Sequence, residues 1–255
     1  MSTPQRITSR DNPLLKELRK LSQDGAAYRK AGRCWIEGDH LARAALQRGV
    51  KPAVAVLAES AWASLAGEFG AVAGKTVLLP DELFDAISGL ESPARLGLML
   101  DLTAETAVQA GTATVVLDRV QDAGNVGSIL RSAAAFGFAQ VIALKGTAAL
   151  WSPKVLRAGM GAHFALHLVE SVEPGALESL DLPLLVTSSH QGELLHRAQL
   201  PWPCAWVLGH EGQGVGPELM ARAALSVRIA QPGGEESLNV AAAAAICLHA
   251  SAAAR

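Results

Sequence analysis

Three stretches in the second half of the chain set short polar or charged side chains beside glycines, where backbone groups can close on a ligand. Residues 228–254, RIAQPGGEESLNVAAAAAICLHASAAA, place Ser237 and Asn239 after the glycine pair Gly233-Gly234 and before an alanine-rich run. Taken alone, Ser-x-Asn here reads as an N-cap that satisfies the first helical amides. Residues 117–138, LDRVQDAGNVGSILRSAAAFGF, open a helix at Asp122 to Asn125 and carry Arg131 nearly two turns inside it. That arginine is either a snorkelling surface residue or a charge aimed at the preceding loop. Residues 207–220, VLGHEGQGVGPELM, gather glycines around His210 and Glu211, which core packing does not require. The stretch lacks the Lys-Ser/Thr end of a P-loop and does not match G-x-G-x-x-G, so nucleoside triphosphate or nicotinamide binding is poorly supported.

The elements that position these residues follow from periodicity. Apolar runs at 113–117, 140–144, 184–187, 205–208 and 226–229 are near-continuous, as in strands covered on both faces, and predict a mostly parallel sheet flanked by helices. Ligands bind such sheets beyond the carboxyl ends of the strands, where all three stretches lie. Ahead of them, strands at 34–37, 53–57, 76–79 and 96–100 alternate with helices at about 39–48, 60–66 and 81–88, which predicts a smaller α/β domain. Asn12-Pro13 opens an earlier helix with Leu14, Leu15, Leu18 and Leu21 as its buried stripe. The expected division is a first domain at 1–102, a small polar linker at 103–112 and a second domain at 113–255. No internal repeat is evident, and the alanine-rich last helix is the one biased tract.

Composition narrows the class. A chain of 255 residues can bury a sizeable core, and its longest strongly apolar run, Ala241 to Leu248, falls short of the ~20 residues a membrane span needs. The sequence begins without the apolar segment of an export signal, so a soluble, cytoplasmic protein is expected. Cys34, Cys204 and Cys247 are scattered and lack metal-ligand spacing; neither a disulfide nor a metal site is expected. Residues 1–51 hold 11 basic against 5 acidic side chains, a net +6 on a chain whose total is −2. Lys16, Arg19, Lys20, Arg29 and Lys30 carry much of it, so a polyanion such as RNA is a candidate partner beside the plainer reading of a solvated helix face.

Asn125-x-Gly-x-x-x-Arg131, Gly209-x-Glu211-Gly212-x-Gly214, and Ile229 followed by Ser237-Leu238-Asn239-Val240 together resemble the three ordered motifs of the SpoU/TrmH family. That family comprises S-adenosyl-L-methionine-dependent RNA ribose 2'-O-methyltransferases, and the similarity covers roughly residues 113–253. The stretch WIEGDHLARAAL at 35–46 is similar, more loosely, to the ribosomal-protein-like RNA-binding domain that many members carry. The resemblance implies a deep C-terminal trefoil knot, which topology rules alone would argue against, and a homodimer through the knot region. It also implies that Thr187, Gly209, Ile229 and Leu238 hold the cofactor, with Asn125, Arg131, Glu211, Ser237 and Asn239 as the catalytic cluster. Ribosomal or transfer RNA would be the substrate. The chain departs from the family pattern at Ile229-Ala230-Gln231, where many relatives read Ile-Pro-Met and where the proline here is moved to 232; at Ala241, where Ser is common; and at His210.

Methyl transfer to a ribose hydroxyl needs an in-line approach, exclusion of water and loss of the hydroxyl proton. An arginine side chain stays protonated at any ordinary pH, which argues against a neutral guanidine as base, so Arg131 is expected to grip an RNA phosphate and stabilise the developing alkoxide. Glu211 fits a tie to backbone amides somewhat better than direct catalysis. His210 fits a wall residue better than a base. The competing classes are a non-catalytic RNA-binding or ribosome-assembly protein that kept the fold and, more distantly, an unrelated nucleotide-binding enzyme.

Overall fold

The computed structural model describes residues 3–103, 107–188, 191–233 and 237–255. Gly234 and part of the 103–112 linker lie outside the described residues. The chain divides into two compact units, Met1–Ala104 with Trp151–Phe164, and Glu105–Leu150 with Ala165–Arg255.

The first unit runs β1 (Gln5–Arg6), α1 (Pro13–Gln23), α2 (Ala27–Ala31), β2 (Arg33–Glu37), α3 (Asp39–Gln47), β3 (Val54–Ala58), α4 (Trp62–Phe69), β4 (Lys75–Leu79), α5 (Asp81–Ile87) and β5 (Leu96–Asp101). Its sheet has the order β1-β4-β3-β5-β2, with β1, β4 and β3 parallel and β5 antiparallel to β3 and β2. The Asn12 side chain caps α1 by accepting from Leu14 N at 3.0 Å, proline follows it, and Leu15, Leu18 and Leu21 are buried. Within the WIEG stretch, Glu37 accepts from Ser88 Oγ and from the amides of Gly89 and Ala94, so this carboxylate holds a loop together. Gly97 is required by packing, since a Cβ there would lie 2.1 Å from the Trp35 ring. The sequence reading put residues 151–164 with the second domain, yet they group with the first unit, where they form α7 (Pro153–Gly159) and a 3-10 turn.

The second unit contains β6 (Thr114–Leu117), α6 (Ala123–Ala135), β7 (Gln140–Leu144), β8 (His167–Val172), β9 (Leu184–Thr187), β10 (Glu193–Leu194), β11 (Ala205–Leu208), α8 (Pro217–Ala221), β12 (Leu225–Arg228) and α9 (Val240–Ala253). All neighbours in its seven-stranded sheet, order β10-β12-β9-β11-β6-β7-β8, are parallel. The five predicted strands are present within a residue at their ends; β8 and β10 were not anticipated. The central strands are buried along their length, and one core cluster gathers Val116, Ile142, Val169, Val186 and Val207. Trp206 Nε1 donates to Ser251 Oγ at 2.8 Å, tying β11 to α9. No helix among the described residues is long and apolar enough to cross a membrane.

Candidate active site

Strands β12, β9, β11 and β6 are neighbours and parallel, so the loops after their carboxyl ends share one edge of the sheet. The direction of winding reverses between β6 and β11, the kind of position at which open α/β sheets bind ligands. Beside it lies an open cleft of about 710 Å³, lined from the loops after β9, β11 and β12. Thr187, Gly209, Ile229 and Leu238, the positions expected to hold a cofactor, all line it, as do Glu211, Ser237 and Asn239.

A chain of hydrogen bonds joins the three motif loops. Asn239 accepts at Oδ1 from the amides of Ala241 and Ala242, capping α9, and donates from Nδ2 to Asn125 Oδ1 at 2.9 Å. Asn125 Nδ2 donates in turn to Glu211 Oε1 at 3.1 Å. Glu211 also accepts from Asp122 N at 3.1 Å and Gln121 N at 3.2 Å. The N-cap reading of Asn239 is therefore correct but incomplete, because the same amide reaches Asn125 in the first turn of α6. Glu211 thus ties its glycine turn to backbone amides of the loop after β6. Burial pushes the Glu211 carboxyl up, but the Asn125 amide and the backbone N–H groups outweigh it and hold the group below the usual carboxylate range. It is an acceptor at neutral pH.

The loop after β11 is closed from within. His210 Nδ1 accepts from Gly212 N at 3.0 Å and Gln213 N at 3.2 Å, and His210 pairs through its backbone with Gly214. With Nδ1 accepting from two amides of its own turn, His210 braces that turn and lines the cleft. Gly209 is required here because a Cβ would lie 2.1 Å from the carbonyl carbon of Gly214.

A second brace was not foreseen. Asp118, almost fully buried, accepts from Gly216 N at 2.6 Å and from the Arg119 guanidinium at 2.8 and 3.1 Å. Arg119 donates at 2.9 Å to Gln213 Oε1, and its backbone is left-handed with φ +59. Asp118 and Arg119 directly follow a strand end beside motif 1; that placement was the one available signal.

The remaining predicted residues lie as follows. Arg131 is exposed on α6, does not line the cleft, and makes no side-chain hydrogen bond or ion pair among the described residues. Ser237 is exposed and likewise makes no side-chain hydrogen bond among them. In the first unit, Lys20 and Lys30 are exposed, and Lys16 is exposed but 3.2 Å from Asp11 Oδ1. Arg19 Nε donates to Ala86 O at 3.2 Å, while Arg29 bonds the Tyr28 hydroxyl and stacks on its ring. The three cysteines are buried away from the cleft, and burial pushes Cys34 and Cys247 up to about 12 and Cys204 to about 11. Among the described residues no group of three or more His, Cys, Asp or Glu could hold a metal ion.

The sequence pattern of the SpoU rRNA Methylase family matches residues 112–249. The chain is 29% identical over 247 residues to the 23S rRNA (guanosine(2553)-2'-O)-methyltransferase RlmP of Bacillus subtilis, covering 95% of this chain and 97% of that protein. A solved structure described as an RNA methyltransferase of the TrmH family, from Porphyromonas gingivalis, matches with TM-score 0.81 and 31% identity over 93% of this chain and 96% of its own. The AdoMet-bound rRNA methyltransferase of Sinorhizobium meliloti matches with TM-score 0.83 and 25% identity, covering 97% of each chain. With its three motifs joined by hydrogen bonds around one cleft, the chain belongs to the SpoU rRNA Methylase family.

Proposed function

We propose that the chain transfers a methyl group from S-adenosyl-L-methionine to a ribose 2'-hydroxyl of a structured RNA, ribosomal or transfer RNA. The observation that carries this is the Glu211–Asn125–Asn239 relay over a cleft lined by all four expected cofactor positions. The cleft's residues fit the cofactor. Its size falls in the range of small-molecule sites, Val215, Met220, Ile229 and Leu238 offer an apolar wall to a flat base, and Thr187 and Ser237 offer hydroxyls. Glycine at 209 and 214 lets backbone groups come close. When bound there, the sulfonium supplies an electrophilic methyl group.

The chain's own residues have the other tasks. Asn125 and Asn239, oriented by Glu211 and by the start of α9, would fix the loops between which the ribose enters. Arg131 would hold an RNA phosphate and stabilise the oxygen as its proton departs; a phosphate oxygen or a water accepts that proton, because the guanidinium cannot. Ser237, its hydroxyl unbonded among the described residues, would contact ligand directly. Residues 1–102 would be the RNA-binding domain and 113–255, apart from the 151–164 stretch that groups with the first unit, the methyltransferase domain, joined by 103–112.

In the same reading, the chain end forms the family's knot and the protein is a homodimer. β12 lies between β9 and β10 in the sheet, so the chain leading into α9 leaves from inside the sheet rather than from its edge. Leu238 and Ile246, at and near α9, are 39% and 41% exposed and give a partner an apolar contact. Arg131, without a side-chain bond among the described residues of its own chain, is available to complete a partner's site.

Calorimetry tests the core of the proposal: the folded protein should bind S-adenosyl-L-methionine or S-adenosyl-L-homocysteine without RNA, at one site per chain. Failure to bind either would sink it, and ribose methylation mapped with and without the gene would identify the RNA. Reversing Lys16, Arg19, Lys20 and Arg29 to Glu should spare cofactor binding and lower the log-log salt slope of RNA binding by ~0.7 to 0.9 for each phosphate no longer neutralised. An unchanged slope would leave those residues as a solvated face.

A further inference from the structure

Neither Asp118 nor Arg119 lines the cleft, yet every residue from Gly209 to Val215 does. That stretch carries glycine at 209, 212 and 214, and a chain with so much backbone freedom keeps one shape only where its surroundings fix it. The His210 bonds close the turn on itself without setting where the turn sits. Glu211 anchors it once to the loop after β6. From that same loop Asp118 and Arg119 reach back to two further points, the Gly216 amide and Gln213 Oε1.

The hold is strained. Arg119 is left-handed at φ +59, and of the five non-glycine residues with positive φ among those described, it alone bonds a residue of the cleft. The Arg119 amide donates to Thr147 Oγ1 at 3.1 Å, and that hydroxyl donates to Leu117 O at 2.9 Å, which keeps the backbone in place. Two glycines leave the side chains room, since a Cβ at Gly146 would lie 3.1 Å from Arg119 Cγ and one at Gly216 3.2 Å from Asp118 Oδ2. Strained residues persist where their surroundings over-determine them, and they gather at ligand clamps. Partnering the buried Asp118 does not account for the whole arrangement. Its carboxylate is already satisfied by the Gly216 amide and two guanidinium N–H groups, so the bond to Gln213 is additional. Gln213 is exposed, and water could replace that bond with little change in stability. What the bond adds is a position for the loop.

We infer that Asp118 and Arg119 are positioning residues for the cofactor, which act by fixing the wall that residues 209–215 give the cleft. This rests on the cofactor reading above. Calorimetry would measure S-adenosyl-L-homocysteine binding to wild type, Gln213→Ala, Arg119→Lys and the double variant, with thermal melting alongside. Gln213→Ala leaves the Asp118 bonds in place and should lower affinity roughly fivefold, the effect of one net hydrogen bond, while Tm moves by less than ~2 °C. Arg119→Lys keeps a positive charge beside the buried carboxylate, but an ammonium cannot span Asp118 and Gln213 together, so it should lose about the same factor. The double variant should lose no more than either single one, because both changes cut one link. Gln213→Glu offers the guanidinium a carboxylate and should keep wild-type affinity, which covers the case in which Arg119→Lys does not fold. Losses that multiply in the double variant, a weakened Gln213→Glu, or unchanged affinity in folded Gln213→Ala overturn the inference and leave the cofactor reading intact. So does an Arg119→Lys protein that melts earlier yet binds as wild type does. If folded wild type binds no S-adenosyl-L-homocysteine, the cofactor reading falls and this inference falls with it.

Discussion

Beside the cleft, where the loops after β6 and β11 meet, the polar side chains bond one another. Asp118 is held by Arg119 and Gly216, Glu211 by Asn125 and two backbone amides, and His210 by the amides of its own turn. On the side lined by Ile229, Gln231 and Ser237 to Asn239, Gln231 Oε1 and the Ser237 hydroxyl have no partner among the described residues, and Leu238 is 39% exposed. Asn239 is the crossing point, since it bonds to the first side while capping the helix of the second. The contrast separates two jobs. Groups that must hold a fixed geometry are locked by the fold before any ligand arrives, which is the condition for electrostatic preorganisation. In the function proposed above, the Ser237 hydroxyl keeps its hydrogen-bonding capacity for a ligand.

The largest effect should come from a residue on neither side. Arg131→Ala should lower methyl transfer by at least a hundredfold, on the order of 3 kcal/mol, with cofactor affinity unchanged. Arg131→Lys should rescue poorly, because a point charge cannot reproduce a planar two-pronged grip on phosphate. Single-turnover kinetics near wild type would remove Arg131 from the mechanism. Mixing Arg131→Ala chains with Asn239→Ala chains should restore part of the activity if each site borrows the arginine from a partner. A mixture that stays inactive would place the arginine in its own chain's site.

Glu211→Ala comes next and probes the locked side. Asn125 and the amides of Gln121 and Asp122 would lose their acceptor, costing about 1 kcal/mol and lowering Tm by ~2–4 °C for a chain of this size. Because the carboxyl is held below its ordinary value, its contribution is fully present above the unfolded-state pKa of ~4.3 and is lost as pH falls through the lower folded value. The Tm gap between wild type and variant should thus be flat from neutral pH to about 5 and close in stronger acid. A gap that widens in acid would contradict the assigned bonds.

Ser237→Ala, on the open side, should change Tm least, within ~0.5 kcal/mol of wild type, since no protein bond is removed. Its effect should instead show in ligand affinity. A stability loss equal to that of Glu211→Ala would erase the distinction between the two sides.

The motifs were legible in the sequence because each concentrates glycines and short polar residues just beyond a strand, and strand ends are where apolar periodicity is easiest to read. What they bond to was less legible. Glu211 meets residues 86 to 90 positions earlier and Asp118 meets Gly216 98 positions later, and pairings between loops leave no periodic trace. β8 escaped notice for a local reason: its HLVESV is interrupted by Glu170 and by Ser171 at φ +58, next to a register shift against β7. The placement of residues 151–164 in the first unit depends on packing far along the chain. A contiguous domain boundary cannot express it.

The left-handed backbone at Arg119 limits what substitutions the loop can accept. A residue with a side chain costs about 1–2 kcal/mol in that conformation, and glycine would relieve it. Yet glycine would forfeit the guanidinium that grips Asp118 and reaches Gln213. Asparagine tolerates the backbone but is too short to span both partners. A replacement at 119 therefore gives up either an unstrained backbone or the two contacts, and should be tolerated best where 118 and 213 change with it.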